Sequence, residues 1–323
     1  MKKKIIGFLV CILLISLAFV PLNRAIKIQT NNPDSAQICL ENIDVPTWDR
    51  GTTWTYQVDD IILNEENFNI NIKLDKFSVK VVSVSGSSYN TEFSTKINGN
   101  FYIDYAPYKI ELNLLYTTLK GHIFQRKSDL GIEKINFQLY SMFTVKIIEP
   151  TQLPTIPIFI MIKFDSDVNP PYQLLPFPIN IGNKWGLTPM QLSFDATIKS
   201  PWFRLIHAVN GIIRFFGLVP EEFQDLSDLI ADNLPIFRSN ELIEINETLG
   251  DYNLFICVNK ETVTVGAGTF EVYNISFLGD FGEFGYFCYA PSVGKIIKIF
   301  GYIKEFVTSS EDVNIELVNY KSV

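Results

Sequence analysis

The sequence predicts a mainly β protein of the α+β class: antiparallel, strongly curved sheets or half-barrels in two halves, with a helical hairpin inserted in the second half. Three observations predict this fold. Aromatic residues make up 14% of the 323-residue chain, and aromatic side chains are enriched in strands. Long stretches alternate apolar residues with others, as strands with one buried face do. In one long stretch, residues 201–232, the apolar and polar side chains are spaced as on the faces of a helix instead.

The N-terminus has the layout of a secretory signal peptide. Three lysines precede an uncharged apolar run at residues 5–20, and a cationic start followed by an apolar core is typical of such leaders. The run is close to the roughly 20 residues that span a membrane, so an uncleaved anchor is the alternative for residues 1–25. Both interpretations place the folded body outside the cytoplasm, after a linker at residues 26–45.

The N-terminal β-rich half is predicted at residues 46–150. Residues 68–84, FNINIKLDKFSVKVVSV, alternate apolar and other side chains over much of their length, which predicts strands. Residues 89–97, YNTEFSTKI, predict a further strand, and Asn98-Gly99-Asn100 predicts the tight turn that ends it. Further strands are predicted at residues 109–118, 121–127 and 132–147.

A proline-rich connection at residues 151–176 is predicted to separate the two halves. Proline has no amide hydrogen to donate to a neighbouring strand, so these prolines favour loop and edge strand. The second half runs from residue 177 to residue 323. Gly51-Thr-Thr-Trp54 opens the first half and Gly182-Asn-Lys-Trp185 opens the second, and this echo suggests an internal duplication.

A helical hairpin is predicted at residues 201–234, within the second half. Ser200 is a suitable N-cap and Pro201 a suitable first helical residue. Gly217 is predicted to end the first helix and Pro220 to start the second. Apolar side chains cover most of the first helix, so it is predicted to pack against a sheet or to help enclose a ligand.

Residues 261–277, ETVTVGAGTFEVYNISF, predict a β-hairpin. Gly266-Ala267-Gly268 separates two runs rich in β-branched and aromatic residues, and the reversal predicts a positive φ at Gly268. Further strands are predicted around Phe287-Cys288-Tyr289, within KIIKIFGYIKEF, and in the final IELVNY.

The stretch VTVGAGTFEVYNI, with YAPSVGKIIK after it, resembles the C-terminal part of a group of exported archaeal and bacterial proteins. Those proteins carry VPAGTF and a later YYxPxVG, and FPINIGNKW at residues 177–185 is similar to their FPLxVGxxW element. Gly266 stands where they have proline. The resemblance covers residues 177–320 and implies an exported, β-rich protein. It implies no catalytic residues.

Composition and motifs argue against several function classes. The net charge of −8 makes the chain a poor nucleic-acid binder, because phosphate contacts need clustered lysine and arginine. The two histidines, His122 and His207, belong to no zinc motif. Asp165-Ser-Asp167-Val-Asn169 spaces its oxygens like a calcium loop, but Pro170 stands where that loop needs glycine. No catalytic residue, metal site or cofactor is predicted.

The sequence allows a disulfide and N-glycosylation. An exported location permits a disulfide, and Cys257 and Cys288 are the predicted pair because they lie before and after the hairpin. Two buried free thiols are the alternative. Asn246 and Asn274 match the glycosylation acceptor pattern.

The sequence favours an exported, non-catalytic binding or surface-interaction protein that holds a hydrophobic or lipid-like ligand between a curved sheet and helices. The alternatives are a helix on the membrane surface, a structural or adhesive cell-surface protein, and an extracellular hydrolase whose acidic pair is not evident. The candidate ligand-binding residues are large apolar side chains in and near the helical insert: Trp185, Trp202, Phe203, Ile206, Phe215 and Phe216.

Overall fold

The computed structural model describes residues 43–65, 68–105, 108–149, 155–186, 190–199, 238–245, 255–279, 282–302 and 312–323. Within these ranges the chain forms sixteen β-strands and no helix. The strands are β1 (Thr53–Val58), β2 (Ile61–Glu65), β3 (Phe68–Leu74), β4 (Phe77–Val84), β5 (Ser88–Tyr105), β6 (Tyr108–Arg126), β7 (Ile132–Glu149), β8 (Ile156–Tyr172), β9 (Lys184–Trp185), β10 (Met190–Lys199), β11 (Arg238–Ile245), β12 (Phe255–Val265), β13 (Gly268–Gly279), β14 (Gly282–Ala290), β15 (Lys295–Tyr302) and β16 (Asp312–Lys321).

All of these strands belong to one antiparallel sheet. Its order is β11-β10-β8-β7-β6-β5-β4-β1-β16-β15-β14-β13-β12-β9, with β3 paired to β5 and β2 paired to β3. The predicted fold class is therefore wrong, because the described strands form one continuous antiparallel sheet rather than curved sheets in two halves. Strand β1 bonds to β4 on one side and to β16 on the other, so the sheet is continuous between the halves. Residues 201–234, where the hairpin was placed, lie outside the described residues.

The predicted turn at Asn98-Gly99-Asn100 is also wrong, because all three residues lie within β5. The glycine serves a close approach between strands. A Cβ on Gly99 would lie 2.2 Å from the Asn71 carbonyl oxygen on β3. A neighbouring strand that is distant in sequence, which the local turn signal does not reveal, thus explains this glycine.

The proline-rich connection contains an interior strand. Strand β8 pairs with β7 along one side and with β10 along the other, so the prediction of an edge strand or loop is wrong for residues 156–172. Residues 173–176 do form a loop, as predicted. Pro157 lies opposite Thr144, while Pro170 and Pro171 lie at the end of the strand, where fewer ladder bonds are lost.

The C-terminal strands follow the prediction closely. Strands β12 and β13 form the expected hairpin about Gly266 and Ala267, and Gly268 has a φ of +141°. The Ala267 amide donates a hydrogen bond to the Leu317 carbonyl, 3.0 Å away on β16. The hairpin turn therefore contacts β16, which lies three strands from β13 in the sheet.

The echo between the two GxxW tetrapeptides extends to their hydrogen bonds. The Gly51 amide donates to the Val81 carbonyl at 2.8 Å, and the Val81 amide donates to Thr52 at 2.9 Å. The Gly182 amide donates in the same way to the Cys257 carbonyl at 2.7 Å, and the Cys257 amide donates to Asn183 at 3.0 Å. Each tryptophan also pairs at an equivalent place. Trp54 lies opposite Val79, two residues before Val81, and Trp185 lies opposite Phe255, two residues before Cys257.

The following hairpins match in register as well. Each partner residue is followed by a β-bulge, at Val81/Ser83 in β4 and at Cys257/Asn259 in β12. The returning strands read YNTEF at residues 89–93 and YNISF at residues 273–277, and both phenylalanines face a glycine on the next strand.

The next strands correspond as well, β7 to β15 and β8 to β16. Strand β7 reads IEKI from Ile132, and β15 reads IIKI from Ile296. The lysine in each is ion-paired with an acid on the next strand: Lys134 with Asp167 at 3.7 Å and Lys298 with Glu316 at 2.8 Å. Strands β1 and β4 to β8, within residues 51–172, thus share one pattern of pairing, bulges and glycines with strands β9 and β12 to β16, within residues 182–321, and we call these two sets of strands the first and second repeats.

One buried apolar cluster connects the two repeats. Residues 173–183 help to close it, because this crossing segment leads from β8 in the first repeat to β9 beside β12 in the second. Ile179 of the segment is fully buried, and Phe177 packs edge-on against Tyr289 with the ring centroids 5.8 Å apart.

Candidate functional site

A cavity of about 150 Å³ lies between the two repeats, under the crossing segment. Its walls are mostly apolar and come from β1, β3 to β7, β14 to β16, the turns before β7 and β15, and Leu174, Leu175 and Phe177 of the crossing segment. Equivalent positions face it from both repeats, namely Gln125 with Tyr289 and Ile132 with Ile296. The cavity therefore lies where the matching surfaces of the two repeats meet.

Lys295 is the most unusual residue in the wall. It begins β15, directly after the turn at residues 291–294. The residue is half-buried, and the protein atoms around its amine lower the pKa to about 7 by excluding water, which disfavours the charged form. Among the described residues, no carboxylate forms an ion pair with it.

The Lys295 amine lies against two indole rings. Its Nζ lies 4.0 Å from the ring centroid of Trp48 and 5.3 Å from that of Trp54. Both rings are fixed by their own contacts, since Trp48 Nε1 donates to the Gly294 carbonyl at 3.2 Å and Trp54 Nε1 donates to the Val293 carbonyl at 3.3 Å. Aromatic faces attract a cation, so the rings oppose the lowering of the pKa by burial.

Tyr289 supplies a second polar group to the wall. Its side chain is 1% exposed, and its hydroxyl has no hydrogen-bond partner within the described part of the chain. Burial raises the pKa of this phenol above its ordinary value, so the hydroxyl keeps its proton as a donor. A buried hydroxyl without a partner carries a free-energy cost that a bound acceptor removes.

The other polar side chains in the wall have partners within the protein. The Tyr56 hydroxyl donates to the Ile296 carbonyl at 3.0 Å, and Gln125 Nε2 donates to the Leu130 carbonyl at 3.2 Å. Asp129 accepts from Arg126 Nε at 3.1 Å, and Lys298 is paired with Glu316. Among the described polar side chains that line the cavity, Lys295 and Tyr289 are therefore the two without a hydrogen-bond or ion-pair partner.

Trp185, the one predicted ligand-binding residue that the structure describes, does not line this cavity. Trp185 stacks on Phe255 with the ring centroids 5.6 Å apart, and its Nε1 donates to the Leu174 carbonyl at 3.0 Å. It thus fixes the crossing segment from outside the cavity. The other five candidates lie outside the described residues: Trp202, Phe203, Ile206, Phe215 and Phe216.

Sequence reasoning missed Lys295, Tyr289 and the tryptophan pair. The available signal was the repetition of YNxxF and IxKI, which aligns Tyr289 and Ile296 with Gln125 and Ile132. That alignment brings residues far apart in the chain to equivalent places on a shared surface.

Cys257 and Cys288 are both buried free thiols rather than the predicted disulfide. Strand β13 lies between their strands, and two inter-strand spacings place Cα atoms about 9–10 Å apart, beyond the reach of a disulfide. Cys257 lies opposite Ile275 and Cys288 opposite Asn274, which point to opposite faces of β13. Burial raises the pKa of Cys257 to about 11 and that of Cys288 to about 12.

The remaining predicted polar positions have structural contacts. Asn274 lies within β13, and its Nδ2, where a glycan would be attached, donates to Glu261 at 2.9 Å. His122 Nδ1 lies 3.0 Å from Asn90 Oδ1 on the next strand. Asp165 lies within β8, where Lys134 pairs with it at 2.7 Å. Asn246 and His207 lie outside the described residues.

No protein-family model, curated protein or solved structure matches this chain. The resemblance to exported archaeal and bacterial proteins therefore stays a prediction. Within the ranges that the structure describes, no helix is long and apolar enough to cross a membrane. The same ranges contain no cluster of three or more histidine, cysteine or acidic side chains placed to bind a metal.

Proposed function

We propose that this protein is a non-catalytic binding protein that holds a small hydrophobic ligand in the cavity between its two repeats. The apolar space of about 150 Å³ carries the proposal. Protein interiors leave few voids larger than a water molecule, because unfilled space loses dispersion contacts. An apolar space of this size can therefore accept a small apolar ligand.

The volume limits the class of ligand. A cavity of about 150 Å³ accommodates a molecule the size of benzene, whereas drug-sized ligands need roughly 300 Å³ or more. A single aromatic ring or a short acyl chain fits, and a longer chain has to leave through the open side of the cavity. The apolar wall favours such a ligand by removing its surface from water.

We further propose that the protein works outside the cytoplasm, as a secreted or membrane-anchored protein. The three N-terminal lysines and the apolar run at residues 5–20 support this location. A C-terminal alkaline phosphatase fusion, which is active only after export, should be active in bacterial cells. An inactive but intact fusion would contradict the location and leave the cavity unaffected.

Calorimetric titration with benzyl alcohol, a neutral molecule with one ring, tests the binding function. The wild-type protein should bind it saturably at one site. Leu174→Trp should weaken binding at least about tenfold, because Leu174 lies in the crossing segment and lines the cavity.

Leu139→Trp is the matched control. Leu139 is also half-buried against the core, but it lies on β7 opposite Leu119 and does not line the cavity. This variant should bind benzyl alcohol like the wild type. No saturable binding to the wild-type protein, or equal losses in the two variants, would contradict the proposed function.

A further inference from the structure

We propose that the cavity selects ligands with a carboxylate head group, and that the Lys295 ammonium and the Tyr289 hydroxyl bind this group. The inference rests on the proposed function and names its ligand class: a small apolar acid with one aromatic ring or a short acyl chain. The apolar part lies against the cavity wall, and the acid meets the two donors that have no acceptor among the described residues.

The two donors differ from the other polar groups around them. Of the two lysines that line the cavity, Lys298 is ion-paired with Glu316, while Lys295 has the faces of Trp48 and Trp54 beside it. The rings attract a cation without accepting strong hydrogen bonds, so the N–H groups of Lys295 stay available to an anion.

The Tyr289 hydroxyl is the independent second observation. It lies buried in the wall of the same cavity without a partner among the described residues. An ammonium and a hydroxyl match a carboxylate, which only accepts hydrogen bonds and has room for several donors. A neutral alcohol satisfies the hydroxyl but leaves the ammonium without an anion. A cationic ligand is repelled.

The titratable groups around the cavity define how binding depends on pH. Besides Lys295, they are Tyr56 on β1, Asp129 in the β6–β7 turn, Tyr289 on β14 and Lys298 on β15. Burial raises the pKa of both phenols above its ordinary value, and pairing with Glu316 raises the pKa of Lys298. The pKa of Lys295 is lowered to about 7 by burial, so its charge is expected to change between pH 6 and 9.

Benzoate and benzyl alcohol form the matched pair of probes, because they share one ring and differ in charge. At pH 6 the wild-type protein should bind benzoate at least about tenfold more tightly than benzyl alcohol. This preference should diminish toward pH 9, as Lys295 loses its proton. Benzyl alcohol should bind equally well at both pH values.

Lys295→Met keeps most of the apolar stem and removes the charge. In this variant the preference for benzoate should disappear while benzyl alcohol still binds, and Lys295→Arg should restore part of the preference. Tyr289→Phe should weaken benzoate binding several-fold at every pH. Circular dichroism melting of each variant confirms that the fold is intact before binding is compared.

The outcomes separate the two proposals. If the wild-type protein binds neither probe, the proposed function fails and the inference fails with it. If it binds benzyl alcohol but shows no preference for benzoate, or if Lys295→Met retains the preference, the head-group inference is wrong and the apolar site stands. Loss of the preference in Lys295→Met, with recovery in Lys295→Arg, supports both.

Discussion

The ammonium nitrogen of Lys295 lies 4.0 Å from the centroid of the Trp48 ring, although 246 residues separate Trp48 from Gly294, the next residue to Lys295. The indole nitrogen of the same ring donates to the Gly294 carbonyl. Trp48, which lies just before the first repeat, thus contacts both the backbone and the ammonium group at the start of β15. The contact joins the segment before the first repeat to Lys295 of the second repeat, which lines the cavity.

Replacing Trp48 should destabilise the protein strongly. Trp48→Leu removes an edge-on contact with Trp54, at a centroid distance of 5.3 Å, together with the Gly294 hydrogen bond and the cation contact. A loss of roughly 3–5 kcal/mol in the free energy of unfolding is expected for a large buried aromatic side chain. Tyr116→Leu is the control, because Tyr116 is 55% exposed. It should change stability by less than about 0.5 kcal/mol in urea denaturation.

The lowered pKa of Lys295 predicts a stability that rises with pH. Its pKa is about 7 in the folded protein and 10.5 without the surrounding protein. Below about pH 7 both states are protonated, and the cost of burying the charge is present in full. Between these two values the unfolded chain binds more protons, so stability increases with pH by up to roughly 2–3 kcal/mol from pH 7 to pH 9.

Urea denaturation of the wild type and Lys295→Met at several pH values measures this effect. The difference between the two proteins removes contributions from other groups, including the buried phenols whose raised pKa values lower stability above about pH 10. The wild type should gain stability relative to Lys295→Met as the pH rises from 7 to 9. A constant difference would show that Lys295 is not desolvated.

Two glycines at equivalent places should tolerate no side chain. A Cβ on Gly121 would lie 2.2 Å from the Asn136 carbonyl oxygen, and one on Gly285 would lie 2.3 Å from that of Phe300. Because backbone atoms on the next strand have to move, Gly121→Ala and Gly285→Ala should each cost more than about 3 kcal/mol. Gly86→Ala has open space around its Cβ and should be close to neutral in the same denaturation assay.

The thiols of Cys257 and Cys288 should resist alkylation in the folded protein. Both are fully buried, and burial raises the pKa of each, so the reactive thiolate is scarce. Peptide mapping after iodoacetamide treatment at pH 8 should find both residues unmodified in native protein and modified after unfolding in urea. A peptide joining Cys257 to Cys288 through a disulfide would contradict the structure.

Local sequence signals predicted the elements whose partners are close in the chain. The β12–β13 hairpin and the positive φ of Gly268 depend on neighbouring residues alone. The turn predicted at Asn98-Gly99-Asn100 is wrong, because Gly99 instead allows close approach of the Asn71 backbone on another strand. The pairing of β1 with β16, which joins Thr53 to Lys321 and makes one sheet from two halves, leaves no local trace in the sequence.

The candidate site was missed for a related reason. Its wall combines Gln125 and Ile132 with Tyr289 and Ile296, and their proximity follows only from the way the two repeats face each other. The predictions instead followed large apolar side chains in and near residues 201–216, since apolar content is visible without a fold. Trp185, the described member of that set, packs on Phe255 beside the crossing segment.

Methyl NMR of the wild-type protein during titration with benzyl alcohol locates the binding site within the molecule. We predict saturable shifts for Leu174, Ile123, Ile132 and Ile296, which line the cavity between the two repeats, while Leu139 on β7 stays unchanged. A titration that leaves the four cavity methyls unmoved, or that shifts Leu139 as strongly, would contradict a binding site between the repeats.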